Sequence, residues 1–120
     1  MTALSNLYAV IDANPTWTGK TYIKSVPETI GENKTFIIVR DSTQQLLDFA
    51  SNSFQTMQFD MQVQIFYSNE SDDDFDQVEM DLMRYLQSNG YFIENVRGRI
   101  QDPDTFQDYQ TIILGKQERN

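Results

Sequence analysis

The chain has 120 residues, no cysteine and a formal net charge of −9. This length is typical of one domain that buries its core without disulfides or metal ions, so we predict a single domain over residues 1–120. The surplus of carboxylates argues against binding to nucleic acids or to anionic membranes, because both depend on Lys and Arg.

The first residues predict a short helix. Thr2 is a suitable N-cap, because its hydroxyl accepts a hydrogen bond from an early helical N–H, and Asn14-Pro15 ends the pattern. Apolar side chains recur at helical spacing between these points, at Leu4, Leu7, Tyr8 and Ile11.

Two short strands are predicted next. Residues 22–26 and 35–40 have strand character, and residues 31–33 form a turn signal between them. We therefore expect a hairpin. Residues 41–56 fit neither a helical nor a strand period, so no element is predicted there.

Residues 57–67 alternate between apolar and mostly amide side chains. Successive side chains of a strand point to opposite faces, so this period of two predicts one long strand. The apolar series faces the core. From the opposite series we identify a candidate subunit interface of Gln58, Gln62, Gln64 and Phe66. The alternative interpretation is the solvated side of an antiparallel sheet.

Residues 75–86 have apolar side chains at helical spacing, after an acidic loop over residues 69–74 and before Gly90. Ser71 or Asp72 is expected to cap this helix, and Gly90 suits the C′ position just past its end.

The rest of the chain predicts two strands and a tail. Residues 91–100 and 106–115 have strand character, and residues 101–105 form the turn between them. Residues 116–120 are polar, and we expect them to fray.

Two short patterns resemble ligand sites but lack essential residues. Residues 19–21 read Gly-Lys-Thr, as at the end of a phosphate-binding loop, but Asn14 stands where that loop needs Gly. The Asp residues at 72, 74 and 76 have the spacing of a calcium loop, but Gln77 and Met83 replace its Gly and its bidentate Glu. We expect neither a nucleotide site nor a metal site.

We expect no catalytic site either. The chain has no His and no Cys, which removes the commonest general base and the usual nucleophile pairs. Asp102 and Asp104 flank Pro103 in a turn signal, where carboxylates bond to nearby backbone N–H groups. The prediction is therefore a protein that is not an enzyme and uses no cofactor.

The order of elements and several short strings resemble a family of phage proteins. The strings are residues 26–28 at the end of an early strand, residues 64–67 in the long strand and residues 102–107 before the last strand. Together with the N-terminal helix and the acidic helix, they make the chain similar to small minor tail proteins of siphophages that infect Gram-positive bacteria, in the tail-terminator or tail-completion class.

This resemblance implies an α+β fold in which two helices pack on one face of a mixed or antiparallel sheet of about five strands. It implies that copies of the chain form a ring, expected to be a hexamer, that caps the tail tube and helps to join tail to head. The implied partners are other copies, the tail tube protein and the neck or connector proteins. The implied location is the phage virion, after synthesis in the host cytoplasm.

The charge pattern is compatible with such a ring. Asp72, Asp73 and Asp74 either line an acidic lumen, which would repel the phosphates of passing DNA, or only cap the helix. Two other functions stay open at this point. One is an adaptor between connector and tail. The other is an acidic inhibitor that mimics DNA, which would need carboxylates spread over an extended face.

Overall fold

The computed structural model describes residues 2–17, 19–25, 34–47 and 56–119. It is an α+β structure, as predicted, with two helices and a six-stranded sheet. Neither helix of the described residues combines the length and the apolar character that a bilayer crossing requires. The elements are α1 (Ala3–Asp12), β1 (Lys20–Ile23), β2 (Phe36–Leu47), β3 (Thr56–Phe66), α2 (Phe75–Ser88), β4 (Phe92–Val96), β5 (Ile100–Gln101) and β6 (Asp108–Arg119).

The sheet has the order β1-β2-β3-β6-β4, and β5 pairs with β6 on the same side as β4. All pairs are antiparallel except β1 with β2, which run parallel. The predicted hairpin of the first two strands is therefore wrong, because a tight turn joins antiparallel strands only. The turn signal at residues 31–33 lies outside the described residues.

The long alternating strand is confirmed as β3. It lies inside the sheet and pairs with β2 on one side and β6 on the other, from Thr56 to Phe66. Met61, Val63 and Ile65 are fully buried, as the alternation predicts. The strand therefore supplies the middle of the core.

Both helices pack on one face of the sheet, as predicted. Leu7 and Ile11 of α1 and Leu86 of α2 belong to one buried cluster with side chains of a single face of β2, β3 and β6. The helices also touch, because the Tyr85 hydroxyl donates to the Val10 carbonyl over 2.6 Å. This layer leaves the opposite face of the sheet without a helix in the described part of the chain.

The helix ends are mostly as predicted. The Thr2 hydroxyl accepts from the Ser5 N–H at 3.0 Å, and Gly90 follows α2 with a φ of +93°. The cap of α2 is Asp74, which accepts from the Gln77 N–H at 3.3 Å, so the choice of Ser71 or Asp72 is wrong. Sequence spacing alone does not separate neighbouring residues that all suit a cap.

Strand β2 extends through residues 41–47, where no element was predicted. A bulge between Asp41 and Thr43 shifts its register on β3, so the side chains before and after it do not follow one alternation. That shift hides the strand from a search for period two. Residues 48–55 lie outside the described residues.

Two expectations for the last third of the chain are wrong. The strand predicted over residues 91–100 is divided into β4 and β5, and Gly98 between them has a φ of +92°, which interrupts extended backbone. The tail predicted to fray belongs to β6 as far as Arg119, because β3 offers it partners up to Thr56.

A buried carboxylate fastens α2 to the sheet. Glu79, 4% exposed, accepts from the Tyr67 hydroxyl at 2.6 Å, from Arg99 Nε at 2.9 Å and from Gln110 Nε2 at 3.0 Å. Burial and the bond to Glu79 raise the pKa of Tyr67, so the phenol keeps its proton and donates. Arg99 also pairs with Asp76. We expect this cluster to fix the position of α2.

Replacement of Arg99 by Leu should destabilise the protein by about 3 kcal/mol, because the buried Glu79 carboxylate would lose its cationic partner. The matched control is Arg97→Leu, which removes an exposed cation two residues away and should change stability by less than about 0.5 kcal/mol. Urea unfolding measures both. Equal losses in the two variants would contradict a role for the Glu79 cluster.

Candidate subunit interface

The face of the sheet opposite the helices carries the candidate interface. We call it the helix-free face, a name that applies to the described residues. Gln58, Gln62, Gln64 and Phe66 all project from β3 on this face, two residues apart or at multiples of two. The structure therefore places the four predicted residues in one row along the middle of the sheet.

Two of the three amides of this row, Gln58 and Gln64, form hydrogen bonds within the sheet. Gln64 accepts from Arg40 Nη1 at 2.6 Å and donates to the Thr111 hydroxyl at 3.3 Å. Gln58 accepts from Gln117 Nε2 at 3.3 Å. These bonds join β2, β3 and β6 across the face and hold the amides in fixed orientations. The assignment of the row to a subunit contact stays a prediction.

An aromatic row crosses the helix-free face at one end. The Phe66 ring stacks between Phe36, at 5.0 Å between centroids, and Tyr109, at 4.9 Å. Tyr22 meets Phe36 edge to face at 6.1 Å. The sequence of β3 alone does not reveal these neighbours of Phe66, because one strand does not show which residues of the adjacent strands lie opposite.

Two carboxyl groups meet on the same face. Gln58 Nε2 donates to Asp60 Oδ1 at 3.0 Å and to Glu94 Oε1 at 3.1 Å. Thr43 donates to Asp60 Oδ2 at 2.6 Å. The pKa of Glu94 is raised to about 7, first by desolvation and then by the hydrogen bond to Asp60 and its charge. The hydrogen bond from Gln58 has the opposite effect and lowers this pKa.

Gly115 makes this meeting of β4 and β3 possible. A Cβ on Gly115 would lie 2.7 Å from Glu94 Oε1 and 2.7 Å from Phe92 Cζ. Only glycine lets both side chains reach across β6. The carboxyl pair was not predicted, although Asp60 is visible in the sequence as the single acidic side chain in the amide series.

The structure places the acidic residues away from this face, in the loop before α2. Asp72, Asp73 and Asp74 are exposed there, and Asp73 accepts from the Ser71 hydroxyl at 3.0 Å. Asp74 caps α2, so the interpretation of this acidic group as a helix cap is correct for Asp74. The acidic lumen stays a prediction.

The patterns that resembled ligand sites have structural roles. Gly19 directly precedes β1, and Lys20 and Thr21 are its first two residues, so a strand stands where a phosphate-binding loop would need a helix. Asp76 pairs with Arg99, and Asp102 accepts from the Asp104 N–H at 2.8 Å in a turn. Within the described residues, no three His, Cys, Asp or Glu side chains converge as metal ligands.

Replacement of Glu94 by Gln should flatten the pH dependence of stability. The folded protein holds the Glu94 proton more tightly than the unfolded chain, since the pKa rises from 4.5 to about 7. Stability from this group is complete below the unfolded pKa and is lost as pH rises through the folded pKa. We therefore expect the variant to gain on the wild type as pH rises from about 4.5 to about 7, and to keep that gain at higher pH.

Urea unfolding at a series of pH values measures this effect. Asp104→Asn is the control, because Asp104 is exposed on a turn away from Asp60. A wild-type protein and a Glu94→Gln variant with parallel pH profiles would contradict the coupling of the two carboxyl groups.

Comparison with known proteins identifies a family. No curated protein matches the chain. A family model described as "Protein of unknown function (DUF806)" matches residues 3–118. This range includes every helix and strand of the structure apart from the last residue of β6. The chain therefore belongs to the DUF806 family.

Proposed function

We propose that this protein is a structural component of a phage tail, which caps the tail tube as an oligomeric ring and helps to join the tail to the head. The observation that carries the proposal is the helix-free face, a broad layer of amide and aromatic side chains held in place by cross-strand bonds. Such a surface suits contact with another protein.

The composition of this face supports that role. Aromatic rings provide the anchors of protein interfaces, and Phe66 and Tyr109 offer two partly exposed rings side by side. Phe36, which is 5% exposed, stacks on Phe66 from the other side and supports it. Gln58 and Gln64 are already oriented by hydrogen bonds. A surface ordered in advance loses little conformational entropy when a partner binds.

The shape of the sheet supports a ring. A ring of more than two subunits uses two different surfaces that fit each other, so that each copy contacts the next in the same sense. Among the described residues, the two edges of this sheet are different strands, β1 and β4. One protomer therefore has two unlike edges on opposite sides.

The charge supports passage of DNA. The formal net charge is −9, and the exposed Asp72, Asp73 and Asp74 lie together in one loop. Carboxylates at the mouth of a channel repel the phosphates of a sliding duplex and prevent it from binding. In the proposed ring this loop faces the path of the DNA.

Deletion of the gene from a phage that carries it tests the proposal. We expect tails of irregular, increased length that lack heads, because no ring would end the tube or form the junction. Electron microscopy of the lysate measures tail length and the fraction of joined particles. The wild-type gene supplied in trans should restore both.

A pair of variants makes the test specific to the face. Gln62→Lys places a charge in the middle of the helix-free face and should fail to restore joined particles. Gln87→Lys places the same charge on an exposed position of α2 and should restore them. Circular dichroism would show whether both variants fold.

Normal tails with joined heads in the absence of the gene would contradict the proposal, and headless tails of normal length would indicate a connector adaptor instead.

A further inference from the structure

All but one of the large exposed apolar side chains of the described residues lie along the two edges of the sheet. Phe106 and Ile100 are the most exposed, at 63% and 55%, and they belong to the β5–β6 hairpin beside β4. Four other large apolar side chains are 36% to 40% exposed: Ile23 on β1, Phe92 and Val96 on β4, and Met80 on α2. Met80 and Val96 line the same groove. Water-exposed apolar side chains concentrated in this way indicate contact surfaces.

The strand directions allow the two edges to pair. β1 runs parallel to β2, and each later neighbour in the order β3, β6, β4 reverses direction. It follows that β4 runs antiparallel to β1. A second copy placed beside the first by rotation about an axis along the strands would bring its β4 antiparallel to β1, with four residues on one edge and five on the other.

The charges of the two edges are opposite. Lys20 and Lys24 are exposed at the β1 edge. Asp104 and Asp108 are exposed on the hairpin at the other edge. Two exposed cations of the described residues also lie near that edge: Arg99, which is paired with Glu79, and Arg97. Contact between two like edges would bring like charges together. Contact between unlike edges brings Lys to Asp.

The hairpin presents Phe106 in a fixed position. Its φ is +62°, a conformation that is rare and strained for a bulky residue. The backbone is held there because the Phe106 N–H donates to Asp102 O at 2.8 Å. The next residue, Gln107, is 2% exposed and donates to Tyr67 O at 3.2 Å and to Lys34 O at 2.9 Å. A rigid, exposed ring is typical of an interface anchor.

From these observations we propose that copies of this chain join edge to edge, with β1 of one copy against β4 and the β5–β6 hairpin of the next, so that the sheet continues from protomer to protomer. Phe106 is the apolar anchor, and Lys20 and Lys24 pair with Asp104 and Asp108. This proposal rests on the proposed function, because it describes how neighbouring subunits of the proposed ring contact each other.

Charge reversal tests the contact. A β1 variant carries Lys20→Glu with Lys24→Glu, and a hairpin variant carries Asp104→Lys with Asp108→Lys. Each alone should weaken self-association by about tenfold or more, because every contact would then join like charges. A mixture of the two should recover it, since acidic β1 edges meet basic hairpins and basic β1 edges meet acidic hairpins in alternation.

Sedimentation velocity over a range of protein concentrations measures the association. The control carries Asp12→Lys with Asp81→Lys. Like the hairpin variant it replaces two exposed Asp with Lys, but these two residues lie on the helices. It should associate like the wild type. Phe106→Ser should weaken association without unfolding the protein, because its ring is mostly in solvent.

Three results would overturn the contact: a wild type that stays monomeric at every concentration, charge variants that associate normally, or a mixture that does not recover. These outcomes are separate from the failure of the tail function. Aberrant tails after gene deletion, together with normal association of the charge variants, would contradict the edge contact but not the tail function. Weakened association of each charge variant and recovery in the mixture, together with normal tails after gene deletion, would contradict the tail function but not the edge contact.

Discussion

The fold depends on the pairing of β3 along its whole length with two neighbours at once. From Thr56 to Phe66 every residue has one partner on β2 and another on β6. Because the side chains alternate, a shift of one residue would turn Met61, Val63 and Ile65 out of the core and bury amides in their place. The register of this strand therefore decides what both faces of the sheet present.

The same constraint separates two kinds of surface. On the helix side, β3 supplies the core, and Glu79 fixes α2 above it through Tyr67 and Arg99. On the other side it supports bonded amides and stacked rings, which form a surface ordered before any partner arrives. The edges add apolar side chains and opposite charges. Two unlike edges are what the proposed assembly of copies in one direction would require.

Much of the fold could be predicted because its signals are local. The alternation of β3, the spacing of both helices and the glycine after α2 are visible in short windows of sequence. The parallel sense of β1, the bulge in β2 and the pairing of β6 to Arg119 depend on residues far apart in the chain. The site followed the same division. The alternation predicted that the four residues of β3 share one face, whereas the contacts of Glu79 and of the Asp60–Glu94 pair were not predicted. Glu79 was nonetheless visible as an acid four residues after Phe75 on the apolar side of α2.

The most direct test of the proposed function asks whether the protein is part of the phage particle and where in the particle it lies. Antibodies against the folded protein, labelled with gold and applied to intact particles, report that position in electron micrographs. A ring that ends the tube and joins it to the head predicts label at the head-proximal end of the tail. Label along the tube or at the distal tip, or its absence from particles while the protein is present in the lysate, would contradict the account.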